Sequence, residues 1–195
     1  FVKSGKGFVG THSAADTFHT DNEAVKGPER FKNHGDKADA YVCFLGAEFI
    51  RHGKQQAGVN KVIDPTFPGF AKVGDSFSFV EEWYTLKDFR PEIHVLTVFN
   101  DPALEGDDYK RPPYPNCWAK NEGKGRVFYT AMGHREDVWT NPTFRQILVG
   151  GGGFTRSHKA DLGASAAQGK GCAAAYPRLL WPSQTEETRH GVAFR

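Results

Sequence analysis

A histidine, a serine and an aspartate stand close together in Gly10-Thr-His-Ser-Ala-Ala-Asp16, directly after the short apolar run Phe8-Val9. A strand that ends at a glycine and turns sharply puts the next side chains at the rim of a parallel sheet, where α/β proteins keep their chemistry. His12 falls at the tip of that turn. An imidazole there can bind a metal or move a proton, but it is a poor primary nucleophile for amides. Ser13 and Asp16 would offer a hydroxyl and a carboxylate to a ligand, or cap the helix that follows.

Three further groups could join His12. His134 and Glu136 follow the strand-like run Gly125–Met132. If the sheet is parallel, both turns open on one rim and His134 approaches His12. Glu81 and Glu82 are adjacent, so in a strand they face opposite sides. One would be solvated, and the other, taken as Glu82, would serve as a carboxylate ligand or general base on the side of Tyr84. His52 precedes Gln55 and Gln56 at what reads as a helix end, and is a candidate for binding substrate. Two or three histidines with one carboxylate suit Zn²⁺, Mn²⁺ or Fe²⁺, so His12, His134 and Glu82 form the candidate metal set. No HExxH or H-x-H motif supports it. The same groups equally suit a hydroxyl-rich ligand, with Tyr84 and Trp118 stacking on sugar rings.

These side chains need a scaffold. The chain has 195 residues, aromatics at 13% and 22 glycines, a mix that favours an α/β protein over a helix bundle. Phe1–Gly7 reads as the last turn of a helix capped by glycine. Asp16–Asp39 reads as a loop over the elbow, Tyr41–Ile50 as a buried helix, and Gly58–Ile63 as a strand. Ser76–Leu86 has β character, and His94–Phe99 and Gly125–Met132 are the clearest strands. Four prolines make Asp101–Pro115 an extended loop, with Asn116–Ala119 short and extended after it. Asn141 and Pro142 start an amphipathic helix to Val149. The domain is read as residues 1–153, followed by a poorly packed or non-native tail over 154–195, where the sequence is Ala/Gly-rich and aperiodic.

Several function classes are disfavoured. Net charge is +2 with both signs interleaved, so no basic stripe recommends nucleic acid. Cys43, Cys117 and Cys172 follow no metal or redox spacing. No run of about 18 apolar residues offers a membrane span. No nucleotide cofactor is expected.

Taken in order, several blocks resemble the ThuA-like (trehalose-utilisation) family. They are Gly5–Phe18, Leu45–His52, Glu81–Tyr84, Ile93–Leu96, Gly123–His134 and Trp139–Phe144, and the similarity spans about residues 1–152. The resemblance implies a class I glutamine amidotransferase-like fold, a flavodoxin-like parallel sheet with flanking helices, and further βα units before Gly5. A chain missing those units at its N-terminus is therefore expected. Amidotransferase relatives carry cysteine at the elbow. Here His12 takes that place and His134-Arg-Glu136 resembles the relatives' His-x-Glu pair, so glutaminase activity is not expected.

The family further implies action on trehalose-type disaccharides or keto-glycosides, by metal- or histidine/carboxylate-assisted acid–base chemistry. The alternative is a non-catalytic carbohydrate-binding or scaffold domain. A periplasmic or secreted location also follows from family association alone.

Overall fold

The computed structural model describes residues 1–21, 27–99, 101–157 and 162. Its strands are β1 (Gly7–Thr11), β2 (Glu48–His52), β3 (Gln56–Val62), β4 (Ser76–Glu81), β5 (Tyr84–Lys87), β6 (His94–Phe99), β7 (Tyr114–Glu122) and β8 (Gly125–Thr130). Helices are α1 (Ala40–Leu45), α2 (Glu136–Thr140) and α3 (Pro142–Arg156). Six strands form one sheet in the order β1-β8-β7-β6-β3-β4, and β2 and β5 form a separate two-stranded ribbon.

The sheet is mixed, and the expected flavodoxin-like parallel sheet is corrected by it. Among the described residues β1 and β8 run parallel, whereas β8–β7, β7–β6, β6–β3 and β3–β4 are all antiparallel. The connections explain this. β7 and β8 are joined by Gly123-Lys124 alone, with Gly123 at φ 61°. A two-residue turn of that kind forces an antiparallel hairpin, since a parallel crossover needs a dozen residues or more. Reading 101–115 as loop concealed the start of β7. Tyr114 and Pro115 already pair with Phe99 and Val98, and the register slips between Thr97 and Val98. Such irregularities are where a sheet tolerates a proline, which has no N–H to donate.

Two other predicted elements divide. Tyr41–Ile50 is not one helix: α1 stops at Leu45, Gly46 takes a left-handed φ of 113°, and the chain extends into β2. A Cβ at Gly46 would lie 2.7 Å from Ile93 Cγ2 and Trp118 Nε1, so glycine is required twice over at this corner. Ser76–Leu86 breaks at Glu82-Trp83, sending β4 to the main sheet and β5 to the ribbon. At the start of the chain, the 3-10 turn Val2–Ser4 is closed by Gly5 at φ 113°.

The centre of the sheet, at β6, β7 and β8, is buried on both faces, whereas β3 and β4 alternate buried and exposed residues. Along β8 and just beyond it, Val127, Tyr129 and Ala131 enter one apolar cluster with Leu45, Leu86, Val95 and Trp118. Phe128 and Met132 enter the other with Phe67, Trp83, Leu96, Phe144 and Phe154. This is the period-two division of a strand covered on both sides. α3 covers the second face. Asn141 Oδ1 accepts the N–H groups of Thr143 (2.9 Å) and Phe144 (3.4 Å), Pro142 occupies the first turn, and Gly151 lies directly over the Phe128 ring. The helix runs on to Arg156, with Phe154 and Thr155 buried. Apart from Leu162, which packs against the cluster around Phe128, the remainder of the expected tail, with Cys172, lies outside the described residues. No helix among the described residues is long and apolar enough to cross a membrane.

Candidate functional site

His12 leaves β1 in a strained backbone conformation, φ 37°, at the start of a 3-10 turn, His12–Ala15. Positive φ is uncommon outside glycine and must be held by surrounding structure. Here the Tyr129 hydroxyl donates to the His12 carbonyl at 2.9 Å from the buried face of β8. The Tyr84 ring packs on the imidazole, with centroids 3.8 Å apart. The elbow read from the sequence is thus present, although only one parallel pair creates it.

The other parts arrive from the break between β4 and β5. Glu82 lies in that break, and its carboxylate meets three histidines: Oε2 is 3.4 Å from His134 Nδ1 and 3.7 Å from His12 Nε2, and Oε1 is 3.3 Å from His52 Nδ1. The His12 and His134 rings are 5.0 Å apart. His12, Glu82 and His134 each bring a metal-competent atom, all within 4.8 Å of one another. Two imidazoles and a carboxylate at that spacing fit a divalent transition metal.

Burial is the largest influence on His12 and pushes its pKa down, against the Glu82 carbonyl, Glu81 and Glu82, which favour the charged form. The imidazole is therefore held toward its neutral state, the form that accepts a proton or a metal. Its Nε2 lies 3.0 Å from the Glu82 carbonyl oxygen. A carbonyl only accepts, so while this contact stands Nε2 carries the ring's proton, and a metal held through Nε2 would take the place of that proton and that contact.

Glu81 does a different job from its neighbour. It is fully buried, and its carboxylate accepts the backbone N–H groups of Gly133 (2.8 Å), His134 (3.1 Å), Arg135 (3.2 Å) and Glu82 (2.8 Å). The expectation that one of the pair is solvated and the other faces Tyr84 gives way to a sharper division. Glu81 fastens the loop that carries His134, and Glu82 faces the histidines.

The remaining predicted residues are spread around this centre. His52 ends a strand, not a helix, and lies beside Glu82. Glu136 is exposed at the first turn of α2 and lines an open cavity of about 390 Å³ with Gln55, His134, Arg135 and Asp137. Ser13 is exposed on the elbow turn, and its carbonyl accepts from Asp16 N and Thr17 Oγ1. Asp16 reaches His19 Nε2 at 2.9 Å. Tyr84 is buried behind His12 and is a wall of the site, with its phenol pKa raised by burial. Trp118 as a sugar-stacking residue is corrected: it is wholly buried, and its indole N–H donates to the Leu45 carbonyl at 2.8 Å.

Sequence reasoning missed the anchoring role of Glu81. The signal for Glu81 was the strand break after it, which period-two reasoning cannot see.

A mixed α/β sheet with a histidine at a strained strand-end elbow defines the class. A family model described as ThuA, trehalose utilisation, matches residues 1–155, and the chain belongs to that family. Among solved structures, a ThuA-like protein from Bacteroides uniformis ATCC 8492 is similar at 22% identity and a TM-score of 0.56, over 77% of this chain and 58% of that one. A second, from Parabacteroides merdae ATCC 43184, is similar at 17% identity and a TM-score of 0.52, over 82% of this chain and 63% of that one. This chain therefore spans less than two thirds of the length of either. No curated protein matches it.

Proposed function

We propose that this chain acts on trehalose-type disaccharides or their keto-glycoside forms by acid–base chemistry at His12, Glu82 and His134, which would together hold one divalent metal such as Zn²⁺, Mn²⁺ or Fe²⁺. Family membership suggests a role related to trehalose utilisation, and the carbohydrate class rests on that. The observation that carries the chemistry is the single Glu82 carboxylate shared by three histidines. A metal bound there would polarise a substrate carbonyl or hydroxyl.

The chain's own groups have complementary tasks. A carbonyl in a keto-sugar acidifies the adjacent C–H, so one positioned base can remove that proton. Glu82 is that base or a metal ligand. His12, neutral and sheltered, accepts or returns a proton. His134 and His52 are half-exposed beside the carboxylate and face incoming hydroxyl groups. Glutaminase chemistry has no support, because the elbow presents an imidazole where a thiol would be required.

The test is turnover of 3-keto-trehalose and trehalose, followed by mass spectrometry, alongside the metal content of wild type, His12→Ala and Glu82→Gln. Product formation by wild type that falls at least 100-fold in both variants supports the reading, as does about one metal equivalent lost with His12. Equal turnover by Glu82→Gln overturns it. Sugar binding by calorimetry with no product from wild type favours the alternative of a non-catalytic carbohydrate-binding domain.

A further inference from the structure

A second group of ionisable side chains lies at the far end of β5 from Tyr84, about 10 Å along the strand. Glu48 at the start of β2, Lys87 at the end of β5 and Asp88 just beyond it are all buried. Residues 19–21 and 33–34, before α1, lie against them and contribute His19, Asp21 and His34. Asp88 holds His34 by two contacts, accepting its backbone N–H on Oδ1 and meeting ring Nδ1 at 2.6 Å with Oδ2. Across the ring, His34 Nε2 lies 3.0 Å from Asp21 Oδ2. Lys87 Nζ stands 3.4 Å from Asp21 Oδ2 and 3.5 Å from Glu48 Oε1.

Two features of this group are unresolved by its own members. The first is charge. Asp21, Glu48 and Asp88 bring three carboxylates against the single ammonium of Lys87, in a place where Glu48 and Asp88 are each 2% exposed. Buried charge is tolerated when it is compensated, and one divalent cation would bring the group to neutrality. The second is hydrogen bonding. Both nitrogens of His34 face carboxylate oxygens, yet a neutral imidazole has one N–H. A neutral ring would set a lone pair against an anionic oxygen at one of the two contacts, so either a second proton or a metal cation must stand there.

Glu48 tells the same story. Its Oε2 accepts the Thr20 N–H at 3.2 Å, while Oε1 meets Lys87 Nζ at 3.5 Å and His19 Nδ1 at 3.6 Å, both outside good hydrogen-bond range. A side chain almost wholly buried thus aims a weakly held oxygen into the cluster.

We propose that His34, Glu48 and Asp88 form a second divalent-cation site, distinct from the group around Glu82. One ligand atom from each lies within 4.8 Å of the other two. A set of one imidazole and two carboxylates suits Mn²⁺ or Zn²⁺ better than Ca²⁺, which takes six to eight oxygens. The site has a structural character. It ties residues 19–21 and 33–34, which follow the elbow, to the β2–β5 ribbon that supplies His52 to the first site. The proposal does not depend on the chemistry assigned to Glu82.

The test is stoichiometry after chelation and dialysis, with Mn²⁺ and Zn²⁺ each titrated by calorimetry into the full chain. Wild type is compared with a His12→Ala/His134→Ala double variant, and with that double variant carrying Glu48→Gln or His34→Gln. Far-ultraviolet circular dichroism checks that each is folded. The double variant is expected to keep one equivalent of metal, bound at least 10-fold more weakly once Glu48 or His34 is also changed. A folded double variant that binds no metal overturns the proposal and leaves protons as the neutralising charge. Unchanged affinity on adding both Glu48→Gln and His34→Gln overturns it as well.

The two readings fail separately. One equivalent in both wild type and the double variant removes the metal from the Glu82 site and leaves this one standing. Wild type binding one equivalent that the double variant loses does the reverse.

Discussion

Glu81 Oε2 accepts the backbone N–H of His134 at 3.1 Å, so the loop carrying one candidate catalytic histidine is fixed by a carboxylate that faces away from the site. Glu82, next in sequence, touches the side chain of the same histidine. Two consecutive glutamates thus hold one residue from both its backbone and its ring, and the strand break between β4 and β5 makes that possible.

Removing the inner carboxylate should be severe. Glu81→Ala leaves four backbone N–H groups without their acceptor in a buried place, at a cost of about 3 kcal/mol or more. Glu81→Gln keeps one acceptor oxygen and should lose roughly half as much. Urea unfolding followed by tryptophan fluorescence measures both. A Glu81→Ala protein within about 0.5 kcal/mol of wild type would show that the cradle is not needed for folding.

Trp118 separates core from site. Trp118→Phe removes the indole donor to Leu45 and some of the packing against Tyr129, whose ring centroid is 4.4 Å away. A loss of about 1–3 kcal/mol is expected, with sugar affinity unaltered. Calorimetric titration beside thermal unfolding decides it, and a tenfold loss of affinity at unchanged stability would contradict the placement in the core.

Gly46 should resist even the smallest side chain. Gly46→Ala puts a Cβ against Ile93 and Trp118 at a left-handed φ, for an expected cost above about 2 kcal/mol. The midpoint of chemical denaturation should fall with an unchanged slope. A variant as stable as wild type would mean that the α1–β2 corner relaxes freely.

The Asp64–His94 pair gives a pH signature. Burial pushes the Asp64 carboxyl up, but the Thr66 hydroxyl and N–H and the His94 ring outweigh it, so the pKa lies below the ordinary value. A carboxylate depressed on folding stabilises the protein above its unfolded pKa, about 3.9, and that contribution is lost as pH falls through the folded value. Asp64→Asn should therefore cost at most about 1 kcal/mol at pH 5–7, because the pair is partly exposed. The difference should vanish near pH 2. A gap that persisted there would assign the effect to packing.

The parts of the molecule legible in the sequence are those set by local chemistry. The elbow at His12 followed from a strand running into glycine, and the start of α3 from Asn141-Pro142. His134 and Glu82 were paired with His12 by residue type and strand ends, and the structure brings all three together. Strand direction was not legible, because it depends on where each strand ends and how long the connection after it is. A proline-rich stretch hid Tyr114 and Pro115 in β7, and the parallel sheet was expected from the family resemblance rather than from these connections. Trp118 was misread for a related reason: an aromatic next to a cleft in sequence terms can point to either face, and only the register of β7 decides which. The cluster around Glu48 was out of reach, since its members come from three loops and two strands with no spacing in common.

The pairing of β1 with β8 also sets the order of assembly. Residues 7–11 precede their partner strand, and the Tyr129 hydroxyl that steadies His12, by more than a hundred residues in the chain. Closing so long a loop is entropically slow compared with forming the β7–β8 hairpin, so the hairpin is expected to precede the docking of β1. The histidine turn would then be among the last features to become ordered, and a nascent chain halted before β8 would hold every residue up to Tyr84 yet lack a formed elbow. Formation of the elbow is thereby a late step of folding, and a ligand that bound only the formed elbow would report the docked β1–β8 pair rather than either strand alone.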